Sequence, residues 1–125
     1  MSLALSTRCS LLLFLLTAVG INCLYADTLA PTDHQMPVIQ ILASRYRFEP
    51  AKIVVKKGQA VILEIQSSDR LHGFAIPGLG LRSDARPGQM TRVAIKPEKT
   101  GTLTYFCDVF CGSGHEQMSG EIVVE

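Results

Sequence analysis

The sequence predicts an all-β fold, a single Greek-key β-sandwich. The first observation is that short apolar segments alternate with polar residues, as where Val61, Leu63 and Ile65 share one face of a strand. The second is that glycine- and proline-containing turns separate these segments, while no segment has the apolar spacing of an amphipathic helix. A chain of 125 residues is long enough for one domain. About seven short strands in such a domain are typical of a sandwich.

The predicted strands run from residue 38 to the end of the chain. They cover 38–43, 46–50, 52–55, 60–66, 90–95, 102–107 and 120–125. The segment 67–80 is predicted to be a loop, because glycines and a proline interrupt it. The last two strands are predicted neighbours, so the loop between them lies at one end of the sandwich. Binding sites are usually built from such loops on a rigid scaffold.

Residues 1–26 have the pattern of a signal peptide. Arg8 precedes an apolar run at 11–21, which is shorter than the roughly 20 residues needed to span a bilayer. Ala26 is a suitable small residue before a cleavage site, whereas Leu24 is large for its position. The alternative is an uncleaved N-terminal anchor that associates with the membrane. Either interpretation predicts an exported protein, in the periplasm or on the outer face of the membrane.

Residues 27–37 contain two prolines and no periodicity, so they are predicted to be a linker before a domain at 38–125. His34 lies in this linker and receives no role. Twelve basic and eleven acidic residues nearly cancel and form no basic patch, which argues against a nucleic-acid-binding function. The chain also lacks an acid–base pair or a substrate-pocket signature. We therefore expect no catalytic turnover of its own.

The segment "CDVFCGSGHEQM", residues 107–118, carries the chemistry of a soft-metal site. Thiolates and thioethers select copper, zinc or iron–sulfur, and imidazole suits copper and zinc. A histidine in the 67–80 segment can meet this loop if both lie at the same end of the sandwich. The candidate ligands are His72, Cys107, Cys111, His115 and Met118. We expect Gly112 and Gly114 to give the loop the backbone freedom that wrapping around a metal requires.

Other uses of these residues explain less of the pattern. A disulfide that closes so short a loop constrains the unfolded chain little. A c-type haem needs C-x-x-C-H, and a thiol redox centre needs C-x-x-C at a helix N-terminus; neither pattern is present. A structural Cys2His2 zinc site is possible, but it leaves Met118 without a purpose.

From about Tyr46 to its end, the chain resembles the cupredoxin domain of cytochrome c oxidase subunit II, which holds the dinuclear copper centre called CuA. The motifs "YRFEP", "SSDRLHGFAIP" and "RPGQMTRV" carry the resemblance, together with the more specific "CDVFCGSGHEQMSG". It implies a cupredoxin-like sandwich. It also implies an electron carrier outside the cytoplasm, or a module that feeds a terminal oxidase. The implied redox partner is cytochrome c or an oxidase core subunit.

The resemblance also implies a ligand set for two copper ions. Its members are His72, Cys107, Val109, Cys111, His115 and Met118. Both thiolates would bridge the ions; His72 and Met118 would complete one ion, and His115 and the Val109 carbonyl the other. Three phenylalanines are expected to keep this centre dry: Phe74, Phe106 and Phe110.

Three features depart from the family pattern. Val109 stands where the family has a glutamate, so a carbonyl ligand is expected without the side-chain contact to magnesium; the neighbouring Asp108 is expected to point elsewhere. The chain has no tryptophan, which the family uses to receive electrons from cytochrome c. It has at most one hydrophobic segment where the family has two membrane helices. Two alternatives therefore stay open: a copper-delivery protein, and a mononuclear copper site that uses one cysteine.

Overall fold

Nine β-strands make up most of residues 36–125, the part of the chain that the computed structural model describes. They are β1 (Val38–Ser44), β2 (Arg47–Glu49), β3 (Lys52–Val55), β4 (Val61–Ser67), β5 (His72–Ile76), β6 (Leu81–Ala85), β7 (Thr91–Ile95), β8 (Gly101–Phe106) and β9 (Ser119–Val124). Two short 3-10 segments, Pro77–Leu79 and His115–Gln117, complete the described elements. The all-β prediction is confirmed. The predicted signal peptide and His34 lie outside the described residues.

The strands form two mixed sheets. One has the order β2-β1-β4-β7, and the other has the order β3-β9-β8-β5-β6. The β1–β4 and β3–β9 pairs are parallel, and the remaining pairs are antiparallel. Parallel neighbours need crossover connections, so the chain passes repeatedly from one sheet to the other. Within residues 36–125, no helix is long and apolar enough to cross a membrane.

Alternation of side chains builds the core between the sheets. In β4, Val61, Leu63 and Ile65 are buried, as their spacing predicts. An aromatic cluster joins the layers: the rings of Phe48 and Phe74 are 5.6 Å apart, and the Tyr105 ring lies 5.3 and 5.0 Å from them. These aromatic contacts hold the two sheets together at β8, the strand that precedes residues 107–118.

The prediction of a loop at 67–80 is wrong, because this segment contains β5 and β8 pairs with it. All five residues of β5 are buried, so the strand shows no two-residue alternation. Close packing requires a glycine at position 73 within β5, because a Cβ there would lie 1.7 Å from the Asp108 carboxylate. The pairing of His72 with Ala85 and of Ile76 with Leu81 then defines β6, a strand that was not predicted from the sequence.

Candidate metal centre

Strand register brings the two ligand-bearing segments together. β8 lies between β9 and β5 and is antiparallel to both. Its last residue, Phe106, faces Ala75 of β5 and Ser119 of β9. His72, at the start of β5, therefore lies beyond the end of β8 and beside residues 107–118, which we call the ligand loop. His72 is thus the first residue of a buried strand, not the loop residue that we predicted.

The ligand loop closes on itself. At its base, the Cys107 amide donates to the Met118 carbonyl at 3.0 Å. Further along, the His115 amide donates to the Gly112 carbonyl at 3.1 Å, and the Met118 amide donates to the His115 carbonyl at 3.1 Å. Gly112 has a φ of +131°, which side chains rarely adopt, so its predicted role in the turn is confirmed.

Gly114 has a different role from the one predicted. Its φ of −99° is open to any residue. However, a Cβ at this position would lie 2.4 Å from the ring of Tyr46, and one at Gly112 would lie 2.5 Å from the Tyr46 hydroxyl. Both glycines therefore let the Tyr46 ring pack directly on the loop backbone.

The six residues implied by the family resemblance come together in space. The Cys107 and Cys111 sulfurs are 3.8 Å apart, and both cysteines are free thiols. The Cys107 sulfur lies 3.9 Å from His72 Nδ1, and its thiol donates to the Val109 carbonyl at 3.1 Å. The remaining two donors, from His115 and Met118, lie close to the Cys111 sulfur. The Cys111 sulfur is 3.8 Å from His115 Nδ1 and 3.8 Å from the Met118 sulfur.

Most of these donors are shielded from water. His72, Cys107, Cys111 and Met118 are at most 3% exposed, whereas His115 is only half-buried. Burial, followed by the hydrogen bond with Cys107, raises the pKa of the Cys111 thiol to about 11. The metal-free thiol is therefore protonated at neutral pH, and a bound metal must displace its proton.

Asp69 fixes the orientation of His72. Its Oδ1 lies 2.7 Å from His72 Nε2, and it also accepts backbone N–H groups from Arg45 and Arg70, both at 2.8 Å. Burial raises the pKa of Asp69, but the hydrogen bonds from His72 and the two amides outweigh burial and hold that pKa well below its usual range. An ionised carboxylate only accepts, so Nε2 carries the proton and Nδ1 is left to face Cys107. Asp69 was not among the predicted site residues, although the spacing D-x-x-H is visible in the sequence.

Asp108 points away from the donors, as expected. Its carboxylate accepts from Arg82 Nε at 2.9 Å and from Arg82 Nη2 at 3.2 Å. Arg82 belongs to β6 and also pairs with Asp84, which in turn pairs with Arg86 at 2.7 Å. This network ties the start of the ligand loop to the edge strand of its sheet.

Two of the three phenylalanines that were expected to keep the centre dry are exposed. Phe74 is buried in the core, but Phe106 is 38% and Phe110 75% exposed. Phe106 follows the inward-facing Tyr105 and therefore points outward. Phe110 protrudes from the ligand loop beside His115, with the rings 5.8 Å apart. The ring of Tyr46, which we had not assigned to the site, covers the loop instead.

The donor set fits a soft metal. His72, Cys107 and Cys111 place their ligand atoms within 4.8 Å of one another, and the centre adds a thioether, a second imidazole and a carbonyl. Three sulfurs and two imidazoles without a carboxylate suit copper far better than calcium or magnesium.

Comparison with known proteins agrees with this geometry. Residues 11–124 match the family model described as "Cupredoxin-like domain". Cytochrome c oxidase subunit 2 of Thermus thermophilus is 29% identical over 100 residues, which cover 80% of this chain and 74% of that protein. The subunit 2 of Vanderwaltozyma polyspora is 35% identical over 72 residues, but the chain spans only 29% of its length.

Two solved structures share the fold. One comes from a heme-copper terminal oxidase dimer, with a TM-score of 0.66, 32% identity, and coverage of 75% of this chain and 68% of that one. The other is the periplasmic domain of cytochrome oxidase subunit II of Bradyrhizobium japonicum, with a TM-score of 0.66, 21% identity, and coverage of 71% and 83%. The chain therefore belongs to the cupredoxin-like family, and its domain is homologous to that of cytochrome c oxidase subunit 2.

Proposed function

We propose that the chain is a copper-binding electron-transfer protein with a dinuclear, CuA-type centre. The observation that carries the proposal is the convergence of four further donors around two free thiols whose sulfurs lie 3.8 Å apart. Two thiolates this close can be shared between two metal ions, with the remaining donors divided between the two sides.

The residues would hold copper in two groups around the shared thiolates of Cys107 and Cys111. His72 and Met118 would complete one ion, and His115 and the Val109 carbonyl the other. When bound, copper supplies a centre that accepts and releases one electron. The chain supplies the rest: burial excludes water, Asp69 holds His72, and the closed loop keeps the donors in one arrangement. Small rearrangement between oxidation states favours fast electron transfer.

The centre would work outside the cytoplasm, with a redox protein as partner. The predicted signal peptide and the likeness to a periplasmic subunit II domain support this location. The likeness to part of a heme-copper oxidase supports an oxidase core subunit as electron acceptor, and cytochrome c is the candidate donor. The half-buried His115 is the most exposed side-chain donor, so a partner that approaches this side has the shortest path to the metals.

The test is copper stoichiometry and electron paramagnetic resonance on the copper-loaded full chain. We expect two coppers per chain, with hyperfine structure shared by both nuclei. Cys107→Ser and Cys111→Ser should each abolish this spectrum. Met118→Leu should change it, whereas Met90→Leu, at a methionine that is 45% exposed, should not.

Other results would contradict the proposal. One copper per chain that survives in Cys107→Ser would establish a mononuclear site on Cys111. Rapid and complete transfer of copper to a chelator would indicate a delivery protein. That outcome disagrees with the burial of four donors at 3% exposure or less.

A further inference from the structure

Arg70 joins the two segments that carry the metal donors. It lies between β4 and β5, two residues before His72. Its Nη1 donates to the backbone carbonyl of Cys111 at 3.1 Å. These residues are 41 positions apart in the sequence. Apart from strand pairing, this contact links the His72 segment to the middle of the ligand loop.

The backbone of Arg70 is itself held in place by hydrogen bonds. Its amide donates to Asp69 at 2.8 Å, and its carbonyl accepts a short hydrogen bond from the Ser67 hydroxyl. Asp69 in turn contacts His72 Nε2 at 2.7 Å. A continuous set of hydrogen bonds therefore runs from the His72 ring, through Asp69 and Arg70, to Cys111.

Arg70 also differs from the other described arginines in the group that its guanidinium contacts. The other arginines within residues 36–125 all form ion pairs with carboxylates: Arg45, Arg47, Arg82, Arg86 and Arg92. Arg70 forms no such pair among the described residues, and its guanidinium is directed at a carbonyl of the ligand loop. A positive charge beside a redox centre favours the form that holds the extra electron.

We propose that Arg70 is a positioning residue of the metal centre: it holds Cys111 in place relative to His72 before metal binds, and its charge raises the reduction potential of the bound metal. This inference rests on the proposed function for the second effect only. A guanidinium provides both a directed donor and a permanent charge, so the two effects are separable by substitution.

The first test uses the full chain without metal. Arg70→Met should accelerate amide hydrogen exchange in residues 107–118 about fivefold, because a partly exposed charge-assisted hydrogen bond of about 1 kcal/mol is lost. Arg70→Lys should accelerate it nearly as much, because the lysine side chain is one bond shorter and its ammonium does not reach the position of Nη1. Arg47→Met is the matched control, since it removes an exposed arginine whose partner is Glu49. Exchange equal to wild type in Arg70→Met would overturn the positioning role.

The second test is the reduction potential of the copper-loaded chain. Arg70→Met should lower the potential, Arg70→Lys should retain most of it, and Arg47→Met should change it less than Arg70→Met. A potential in Arg70→Met equal to that of the Arg47→Met control would overturn the electrostatic role. If the wild-type chain fails to bind copper, the proposed function and this electrostatic role fail together. The exchange test then still decides whether Arg70 positions the loop.

Discussion

Small residues at the site leave room for their neighbours. A Cβ on Gly73 would collide with Asp108, and a Cβ on Gly114 would lie 2.4 Å from the Tyr46 ring. The atoms met at Gly114 include the Tyr46 Cβ and Cγ, which are close to the backbone and cannot swing away. The glycine therefore sets the distance between the turn that joins β1 and β2, which carries Tyr46, and the ligand loop. The sequence pointed to Gly114 as a turn residue, but only the packing of Tyr46 explains it.

The contact between Gly114 and Tyr46 is tested by Gly114→Ala. We expect the free energy of unfolding to fall by about 1–3 kcal/mol, because the added methyl group must displace the Tyr46 ring. The loss should be much smaller in a Tyr46→Ala background, as a double-mutant cycle in urea would measure. Ser113→Ala, a neighbouring exposed position, should change stability by less than about 0.5 kcal/mol. Equal losses from Gly114→Ala in both backgrounds would show that the ring contact is not the cause.

The β8 strand connects the core to the site. Tyr105 points inward to the aromatic cluster, Phe106 points outward, and Cys107 begins the ligand loop. The Tyr105 hydroxyl donates to the Pro50 carbonyl at 2.7 Å, which joins β8 to the turn between β2 and β3. Burial raises the pKa of Tyr105 to about 12. The alternation of this strand was predictable from the sequence, whereas the partner of the hydroxyl, 55 residues away, was not.

Because the pKa of Tyr105 is raised, the free energy of unfolding decreases as the pH rises through the alkaline range. The folded pKa of about 12 lies above the ordinary value of 10.0, so the contribution of Tyr105 is fully present below pH 10 and is lost as pH rises towards 12. We expect the urea midpoint to fall over this range more steeply in wild type than in Tyr105→Phe. At pH 7 the variant should lose about 1 kcal/mol, since the Pro50 carbonyl loses its donor. Parallel pH profiles would contradict this assignment.

The stability of the whole sandwich depends on β9. β9 lies inside its sheet, parallel to β3 on one side and antiparallel to β8 on the other. Its Ile122 is fully buried and faces both Ile53 and Leu103 in register. The second sheet therefore forms only when β9 pairs with β3, which lies far earlier in the sequence. Such non-local pairing is typical of sandwiches.

We expect Ile122→Ala to lower the free energy of unfolding by about 2–5 kcal/mol, through lost burial and the cavity left behind. Val54→Ala on the adjacent strand is the control, since Val54 is 52% exposed and should cost less than about 1 kcal/mol. Denaturant titrations of both variants measure the difference. A small effect of Ile122→Ala would mean that β9 is dispensable for the core.

The all-β class, most strands and the five candidate side-chain donors were predictable from the sequence, because alternation and close spacing are local properties of the chain. Four donors within a twelve-residue segment need little tertiary information to meet. Three other features became visible only in the folded chain: His72 begins a buried strand, Asp69 and Arg70 link it to Cys111, and Tyr46 covers the loop. These contacts depend on the register of β5 against β8 and on the position of the turn between β1 and β2 beside the ligand loop. A strand buried on both faces has no alternation to reveal it, and register is set by pairing between distant segments.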